Sequence, residues 1–525
     1  MKRTTKYNLL LMVVAGIACF AFFRYAYPYH LFHREQTLLF TYTTEQVAGY
    51  FKHPAVLSCL GGDFLTQFFY YNGIRAAIVA VMMAVLGLLT YATCRKWTND
   101  WIAIIAAILV FTWESLRFCT ISYPLSGTIS LVGALSLFLL SDKMRGKWDF
   151  TIGSLCGIVL CYWLFGYGMF VFALLTLLSV LTRKKNYIGA CLIMIISLTL
   201  PAIAANKYLM MPSQAYTYPA TIWWGKPDFE TERILGLNTE DYFGNWDKIN
   251  ELVHDGTPAN SLSVCYNLAN AMQGKLPDKL MDYYQPAALG LFMPISEEST
   301  YLSTQLAGEI WFRLGDMTMA EHAAILSMIF SPQNKSARMV QRLAEINLIN
   351  GDEAAARKYL HLLSKTLAYR QWAKDRMPGQ ESAEVKAWLE KKRSFLPEKD
   401  TLRLSSTDVV KSLHLLLEAN PSNQMALDYL LCFDLLMKDI PGFIKDYERF
   451  YHEAPNRLYA EALLIHLFQK RATSDEIKAT GMNPAVIKEF NEYNYLHKQY
   501  QGNPSALESR FGRSYWFYFQ FAEFQ

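Results

Sequence analysis

The chain has 525 residues, 52% of them apolar and only 18% charged, with a formal net charge of +4. The charge is uneven: residues 1–208 hold 17 Lys+Arg against 7 Asp+Glu, and the remainder holds 33 against 39. This excludes a single soluble globule, a disordered chain and a disulfide-dense scaffold, and the mildly acidic second half argues against a nucleic-acid partner. What remains is an all-α protein in two parts, a multi-span transmembrane helical bundle followed by an exported helical domain.

Seven apolar stretches precede residue 209: Leu9–Phe23, Ala76–Thr93, Trp101–Trp113, Tyr123–Leu140, Phe150–Phe165, Tyr167–Leu181 and Tyr187–Ala205. Crossing the hydrocarbon of a bilayer takes about 20 helical residues. Several stretches fall short of that, and their Trp, Tyr, Arg and Lys flanks extend them into the interface. The third is the weakest, because Glu114 closes it early. The division expected is a membrane domain over 1–208 with a long outer loop at 29–74, an interfacial linker over 209–240, and an exported domain over 241–525.

Basic residues set the topology. Lys2, Arg3 and Lys6, Arg95 and Lys96, Lys143, Arg145 and Lys147, and Arg183, Lys184 and Lys185 all fall on one set of connections. The opposite set holds Arg34, Lys52 and Arg117 clear of the helix ends. Basic loops stay in the cytoplasm, so the N-terminus is expected inside and everything after Ala205 outside. The first stretch also reads as a signal peptide, but its exit, Arg24-Tyr-Ala-Tyr-Pro28, has no small-x-small cleavage site. Cys19 is followed by apolar Ala-Phe-Phe rather than the polar residues of a lipoprotein. An uncleaved first helix is therefore expected. Seven of the nine cysteines precede residue 209, where they act as small apolar residues; Cys265 and Cys432 form no disulfide framework.

The outer loop is too long for a simple connection. Its ends mix aromatics with few charges, which suits helices lying along a bilayer surface. Glu35 sits just beyond the first span, and Asp63 follows Gly61-Gly62 in what reads as a turn. The next outer connection adds Glu114, Arg117 and Tyr123. A carboxylate beside a membrane cleft can deprotonate a hydroxyl acceptor, which makes Glu35 and Asp63 the catalytic candidates of a transferase reading. Arg34, Gln67, Glu114, Arg117 and Tyr123 are then candidates for holding a lipid phosphate or substrate. The structural alternative is local pairing, with Glu114 and Arg117 meeting at i, i+3 on one helix. His30 and His33 are close but lack a third ligand, so no metal and no cofactor is expected. There is no P-loop, nucleophile elbow or HExxH.

Beyond residue 240 the pattern is helical and repetitive, with no strand or hairpin signal. Pro421 and Pro455 lie 34 residues apart and bracket helices at Met425–Leu436 and Phe443–His452. Leu314-Gly-Asp316 and Asn350-Gly-Asp352 lie 36 apart, each joining two amphipathic helices. Pro258 opens a third unit, with Tyr266–Met272, then Gly274, then Lys279–Gln285. Gly351 and Ala354–Ala356 read as small residues admitting a close partner helix, with Leu360, Leu362 and Leu363 on the core side. The charged stretch Lys374–Lys399 interrupts the series. The pattern resembles the tetratricopeptide repeat (TPR), an α-solenoid whose concave face holds a peptide or protein; an irregular helical bundle is the alternative. The tail carries Tyr515, Trp516, Phe517, Tyr518, Phe519, Phe521 and Phe524, either as an aromatic cap or as a membrane contact.

The segment Arg34-Glu-Gln-x-x-Leu-Phe, followed by Gly61-Gly62, Phe64-Leu-Thr-Gln-Phe-Phe-Tyr-Tyr71 and the Tyr515–Tyr518 tail, is similar to an uncharacterised family of integral membrane proteins from Bacteroidota. That resemblance covers nearly the whole chain and implies a bacterial inner membrane and a periplasmic outer domain. The N-terminal order of one span, a long outer loop with an acidic residue, then further spans resembles the C-type lipid-linked-sugar glycosyltransferases. In those an early acidic residue acts as base, which falls on Glu35 by placement and on Asp63 second. The aspartate-led pair of that family is missing, and seven spans are fewer than its members usually have. The expected function is an uncharacterised membrane protein presenting a periplasmic TPR-like interaction domain in envelope assembly, its partners being membrane lipid and a protein or peptide. The alternative is a C-type transferase at the outer face.

Overall fold

The computed structural model describes residues 3–255, 257–398 and 408–523. Lys2, Lys399 and Phe524, which enter the sequence reading, lie outside them. Among the described residues the chain is helical and has no strand. It divides into two compact units. Unit 1 comprises Met1–Leu235, Lys335–Ala337 and His361–Ala373; unit 2 comprises Gly236–Asn334, Arg338–Leu360 and Lys374–Gln525. The boundary between the units falls inside a helix, after residue 235, and two short segments, 335–337 and 361–373, belong to unit 1.

Unit 1 begins with α1 (Arg3–Ala21), which runs on through a π-helical turn to Ala26. The long connection, whose two ends are expected to be helical, carries three helices: α2 (Tyr29–Gln36), α3 (Thr44–Tyr50) and α4 (Val56–Thr66), then a 3-10 turn at Gln67–Tyr70. The apolar helices follow as α5 (Ile74–Cys94), α6 (Asp100–Phe118), α7 (Leu125–Ser141), α8 (Lys147–Phe165), α9 (Gly168–Ser179) and α10 (Tyr187–Tyr208), then the short α11 (Pro212–Thr217). Each of the seven apolar stretches is a helix. Among the described residues five helical segments, Leu9–Ala26, α5, α6, α8 and α10, are long and apolar enough to cross a membrane, while α7 has 17 residues. Between 22% and 44% of their apolar windows is buried, leaving side chains such as Leu10, Val81, Leu109, Ile152 and Leu198 exposed. An apolar belt of this kind suits hydrocarbon rather than water.

Two expectations are corrected here. Helix α6 does not stop at Trp113 but runs to Phe118, because the charge of Glu114 is matched inside the protein. Gly61 and Gly62 form no turn; both lie within α4. A Cβ on Gly62 would come within 2.7 Å of the Ser126 backbone nitrogen, so its missing side chain is what lets α4 lie against α7.

Unit 2 takes up the chain within α12 (Phe229–Phe243) and continues through α13 (Trp246–His254), α14 (Asn260–Met272) and the four-residue α15 (Leu276–Lys279). Helical hairpins follow, α16 (Tyr301–Leu314) with α17 (Met317–Phe330), and α18 (Ala337–Asn350) with α19 (Glu353–Ser364). After α20 (Arg370–Lys374), α21 (Ala383–Arg393) and α22 (Val409–Ala419) comes the pair α23 (Gln424–Leu436) and α24 (Ile440–Phe450). The chain then ends through α25 (Arg457–Gln469), α26 (Ser474–Ala479), α27 (Pro484–Gln499), α28 (Pro504–Phe511) and α29 (Tyr515–Phe521).

One turn design joins the hairpins. Gly315 has φ +105°, the Asp316 N–H reaches back to the Trp311 carbonyl at 3.0 Å, and Asp316 Oδ1 accepts from Met319 N at 3.1 Å. Gly351 (φ +81°) and Asp352 repeat it, with Asp352 N bonded to Asn347 O and its carboxylate capping Ala355 N. Lys438 and Asp439 repeat it again, capping Gly442 N. A left-handed residue ends one helix and the following Asp starts the next, satisfying exposed backbone groups at both ends. Gly351 is therefore needed for its φ rather than for close packing, since a Cβ there would meet nothing within 4 Å. The unit expected at Lys279–Gln285 forms no second helix: Tyr283 is extended, and the Gln285 amide bonds Asn267 and Leu280 O instead.

The interior of unit 2 holds a charge network. Glu309 accepts from Arg342 at 2.6 and 2.8 Å and lies 3.4 Å from Arg338, and Asp241 bonds Arg313 and Arg338. Burial would raise the Glu309 pKa, but the arginines Arg342, Arg338 and Arg313 overcome it and hold the carboxyl down at about 2. The aromatic tail packs as a cap. Tyr515 and Trp516 are buried, Trp516 Nε1 donates to Glu461 O at 3.0 Å, and the Tyr515 and Tyr518 hydroxyls donate to Leu435 O and Leu436 O.

Candidate functional site

The residues proposed for chemistry all lie in unit 1, and the structure distributes them over separate environments. Glu35, on the last turn of α2, is 4% exposed. Its Oε2 accepts from Gln36 Nε2 at 2.6 Å and from the Tyr369 hydroxyl at 2.8 Å, and Gln36 Nε2 also donates to that hydroxyl at 2.6 Å. Burial pushes the Glu35 carboxyl up to about 8, against the opposing pull of these two donors. The segment carrying Tyr369 is held to the connection after α2 by a backbone bond from Tyr42 N to Lys365 O at 2.8 Å, and the separate segment 335–337 by one from Ala337 N to Leu38 O at 3.2 Å.

Around Glu35 lies a cavity of about 10 Å³, lined by Phe40, Gln67, Thr366 and Tyr369 among others. That is the space of one water molecule. Gln67 shares this cavity, but both ends of its amide are committed, accepting from Tyr42 OH at 3.0 Å and donating to Phe64 O at 2.8 Å. The arrangement encloses a carboxyl of raised pKa between an amide and a phenol. It has no room for a sugar or a lipid phosphate.

Asp63 has its own partners. Its Oδ2 accepts from Tyr50 OH at 2.6 Å, and that hydroxyl also accepts from Gln46 Nε2 at 3.2 Å. Burial raises the Asp63 pKa, while Tyr50 and the Lys335 ammonium oppose the shift. Arg34 meets partners different from those of Glu35. Its Nη2 donates to Phe118 O and Thr120 O at 2.8 and 2.7 Å, and its guanidinium lies 4.2 Å from the Phe118 ring centre. Burial pushes its pKa down to about 10, which leaves it charged at neutral pH.

Glu114, Arg117 and Tyr123 form a third cluster. The expected i, i+3 pair is present at 2.7 Å between Glu114 Oε2 and Arg117 Nη1, with both side chains fully buried. Glu114 Oε1 also accepts from Tyr123 OH at 2.7 Å and Thr128 Oγ1 at 2.6 Å. Arg117 donates twice to Ile222 O, at 3.0 and 2.8 Å, and is sandwiched by the Trp113 and Tyr123 rings at 4.3 and 4.4 Å. Every charge here is matched by a neighbour, which describes a structural brace. The sequence offered no signal for Tyr369 or Ile222, which lie hundreds or scores of residues from their partners. Nor did it mark Glu232, whose carboxylate accepts from the Tyr29 and His30 N–H groups opening α2. Among the described residues no group of His, Cys, Asp or Glu is arranged to hold a metal ion.

Larger concavities lie in unit 2. One of about 770 Å³ is bounded by Tyr283, Tyr284, Arg513, Phe517 and Phe521, beside the aromatic cap. Another of about 980 Å³ lies between α25, α26 and α27. Both fall in the range of ligand-sized clefts.

No curated protein and no solved structure matches the chain. A model of a family of unknown function, DUF6057, matches residues 3–522. The chain, all-helical and with five helices apt for a membrane among its described residues, is matched over nearly its whole length and belongs to that family, DUF6057.

Proposed function

We propose that this protein is a multi-pass membrane protein that presents unit 2 outside the membrane, on the periplasmic side of a bacterial inner membrane, as a TPR-like docking platform for a protein or peptide of envelope assembly. The observation that carries this reading is the repeated hairpin of unit 2, built three times with one turn chemistry at Gly315-Asp316, Gly351-Asp352 and Lys438-Asp439. Stacked hairpins leave an extended surface with little chemistry of its own and much apolar area for a partner. Exposed Ile325, Ile329 and Phe330 on α17 supply such area.

The transferase alternative rests on Glu35, a buried carboxyl with a raised pKa, and requires the one-water space around it to open widely before a lipid-linked sugar could enter. The docking reading needs no such change. Its test is photo-crosslinking in cells, with the photoreactive residue placed at Ile329 and Tyr495 in unit 2 and at Leu109 and Ile152 in unit 1. A discrete protein adduct from unit 2 positions, with the unit 1 positions yielding lipid, supports the platform. Adducts to lipid alone from every position would sink it.

A further inference from the structure

The groove between α25, α26 and α27 is distinct from the residues discussed so far. Its floor and walls are Leu464, Leu467, Phe468, Ile477, Ile487 and Phe490. Phe468 is 61% exposed although its ring packs edge-on against Phe490 at 5.8 Å. Such an aromatic side chain standing in water at the lip of an apolar trough has area to lose to a partner. The polar lining is Gln469, Ser474 and Asn491, neutral groups suited to bonding another chain.

The charged lining residues are Arg471 and Lys478, both cationic. Arg471 is fixed at the edge by backbone geometry: it ends α25 in the left-handed region, φ +56°, with Ala472 N bonded back to Leu467 O at 2.9 Å. Lys478 has Asp475 at 3.9 Å, but both are more than three-quarters exposed, so water screens that pair. The trough is concave, with Leu464 and Phe490 buried at its base. A flat bilayer does not fill a concave trough, whereas the apolar face of a helix does.

We infer that this groove binds an amphipathic helix of a partner protein, whose apolar anchors lie on Phe468, Ile477 and Ile487 and whose acidic residues meet Arg471 and Lys478. The inference rests on the reading of unit 2 as a docking platform and names the partner's chemistry. A volume of about 980 Å³ receives the anchors of roughly three helical turns, spaced i, i+3, i+4 and i+7. The cationic rim sets the sign of charge that is accepted and speeds encounter.

The test uses the full chain in detergent and two fluorescein-labelled peptides of about 16 residues with identical leucine anchors, one flanked by Glu and the other by Lys. Fluorescence anisotropy is expected to show the Glu peptide binding about tenfold tighter than its Lys twin. The double variant Arg471→Glu/Lys478→Glu reverses that preference, and Phe468→Ser weakens the Glu peptide about tenfold. These side chains are solvent-facing, so circular dichroism and melting of the variants match the parent. Equal binding of the two peptides, or none, overturns the proposal. So does Phe468-dependent binding to anionic vesicles without peptide binding, which assigns the groove to membrane, or Phe468-dependent dimerisation, which assigns it to a second copy. A partner crosslinked at Ile329 with no peptide bound here would sink the groove and leave the platform standing.

Discussion

The Glu114–Arg117 brace is the most direct place to separate a structural from a binding role for the charged residues of unit 1. Replacing Arg117 with Met removes the 2.7 Å ion pair, both bonds to Ile222 O and the cation held between Trp113 and Tyr123. Glu114 is left fully buried with two neutral donors, Tyr123 and Thr128. Stripping one partner from a buried pair costs about 3–5 kcal/mol, because the other charge stays without compensation. Converting Glu114 to Gln as well removes that charge while keeping an oxygen for Tyr123 and Thr128. The double variant Glu114→Gln/Arg117→Met should therefore recover most of the loss and sit within about 2 kcal/mol of the parent. Unfolding in detergent followed by tryptophan fluorescence is a direct readout, since Trp113 and Trp223 flank the guanidinium. The reasoning fails if Arg117→Met costs under about 1 kcal/mol, or if the double variant is worse than either single one. A stable Arg117→Met protein that had lost only affinity for anionic lipid would return Arg117 to the role of phosphate binder.

Further expectations follow from other sites. Glu35 binds its proton more tightly folded than unfolded, so it makes stability fall as pH rises from about 4.5 to about 8, with a slope of up to about 1.4 kcal/mol per pH unit. Glu35→Gln should flatten that part of a melting-temperature profile and leave the protein more stable at pH 8; an unchanged profile would show that the carboxyl is not held neutral. Gly351→Ala should cost about 1 kcal/mol for its left-handed backbone alone. Gly315→Ala should cost clearly more, since its Cβ also meets Phe395 Cβ at 2.7 Å, and equal melting temperatures for the two variants would contradict the geometry. Trp516→Ala should lose about 3–5 kcal/mol and make the end of unit 2 sensitive to limited proteolysis, whereas a membrane-contact role for the tail predicts intact stability and weaker vesicle binding.

Much of the local structure was legible from the residues. Hydropathy located all seven apolar helices of unit 1, because a run of Leu, Ile, Val and Ala states its environment without reference to anything distant. The Gly-Asp dipeptides at 315–316 and 351–352 announced helix ends and starts, because a left-handed cap and an Asp N-cap are satisfied within a few residues. The i, i+3 spacing of Glu114 and Arg117 likewise announced their pairing. Where local rules misled, a distant partner had decided the matter. Gly61-Gly62 reads as a turn until Ser126 supplies a backbone to pack against, and α6 reads as ending at Glu114 until Arg117, Tyr123 and Thr128 neutralise the carboxylate.

The environment of Glu35 belongs wholly to tertiary structure. Its neighbour Gln36 is adjacent in sequence, but Tyr369 lies 334 residues away and reaches it through a segment that packs into unit 1. No periodicity or spacing encodes a contact of that range, and the packing around it changes the residue from a solvated candidate base into an enclosed carboxyl whose pKa burial raises. The groove around Phe468 shows the same division. The starts of α25, α26 and α27 are satisfied locally, by side-chain caps from Asn456, Thr473 and Asn483. Only their packing decided that one apolar face would remain open to water with two cations at its rim, because exposure is a property of neighbours rather than of residue type.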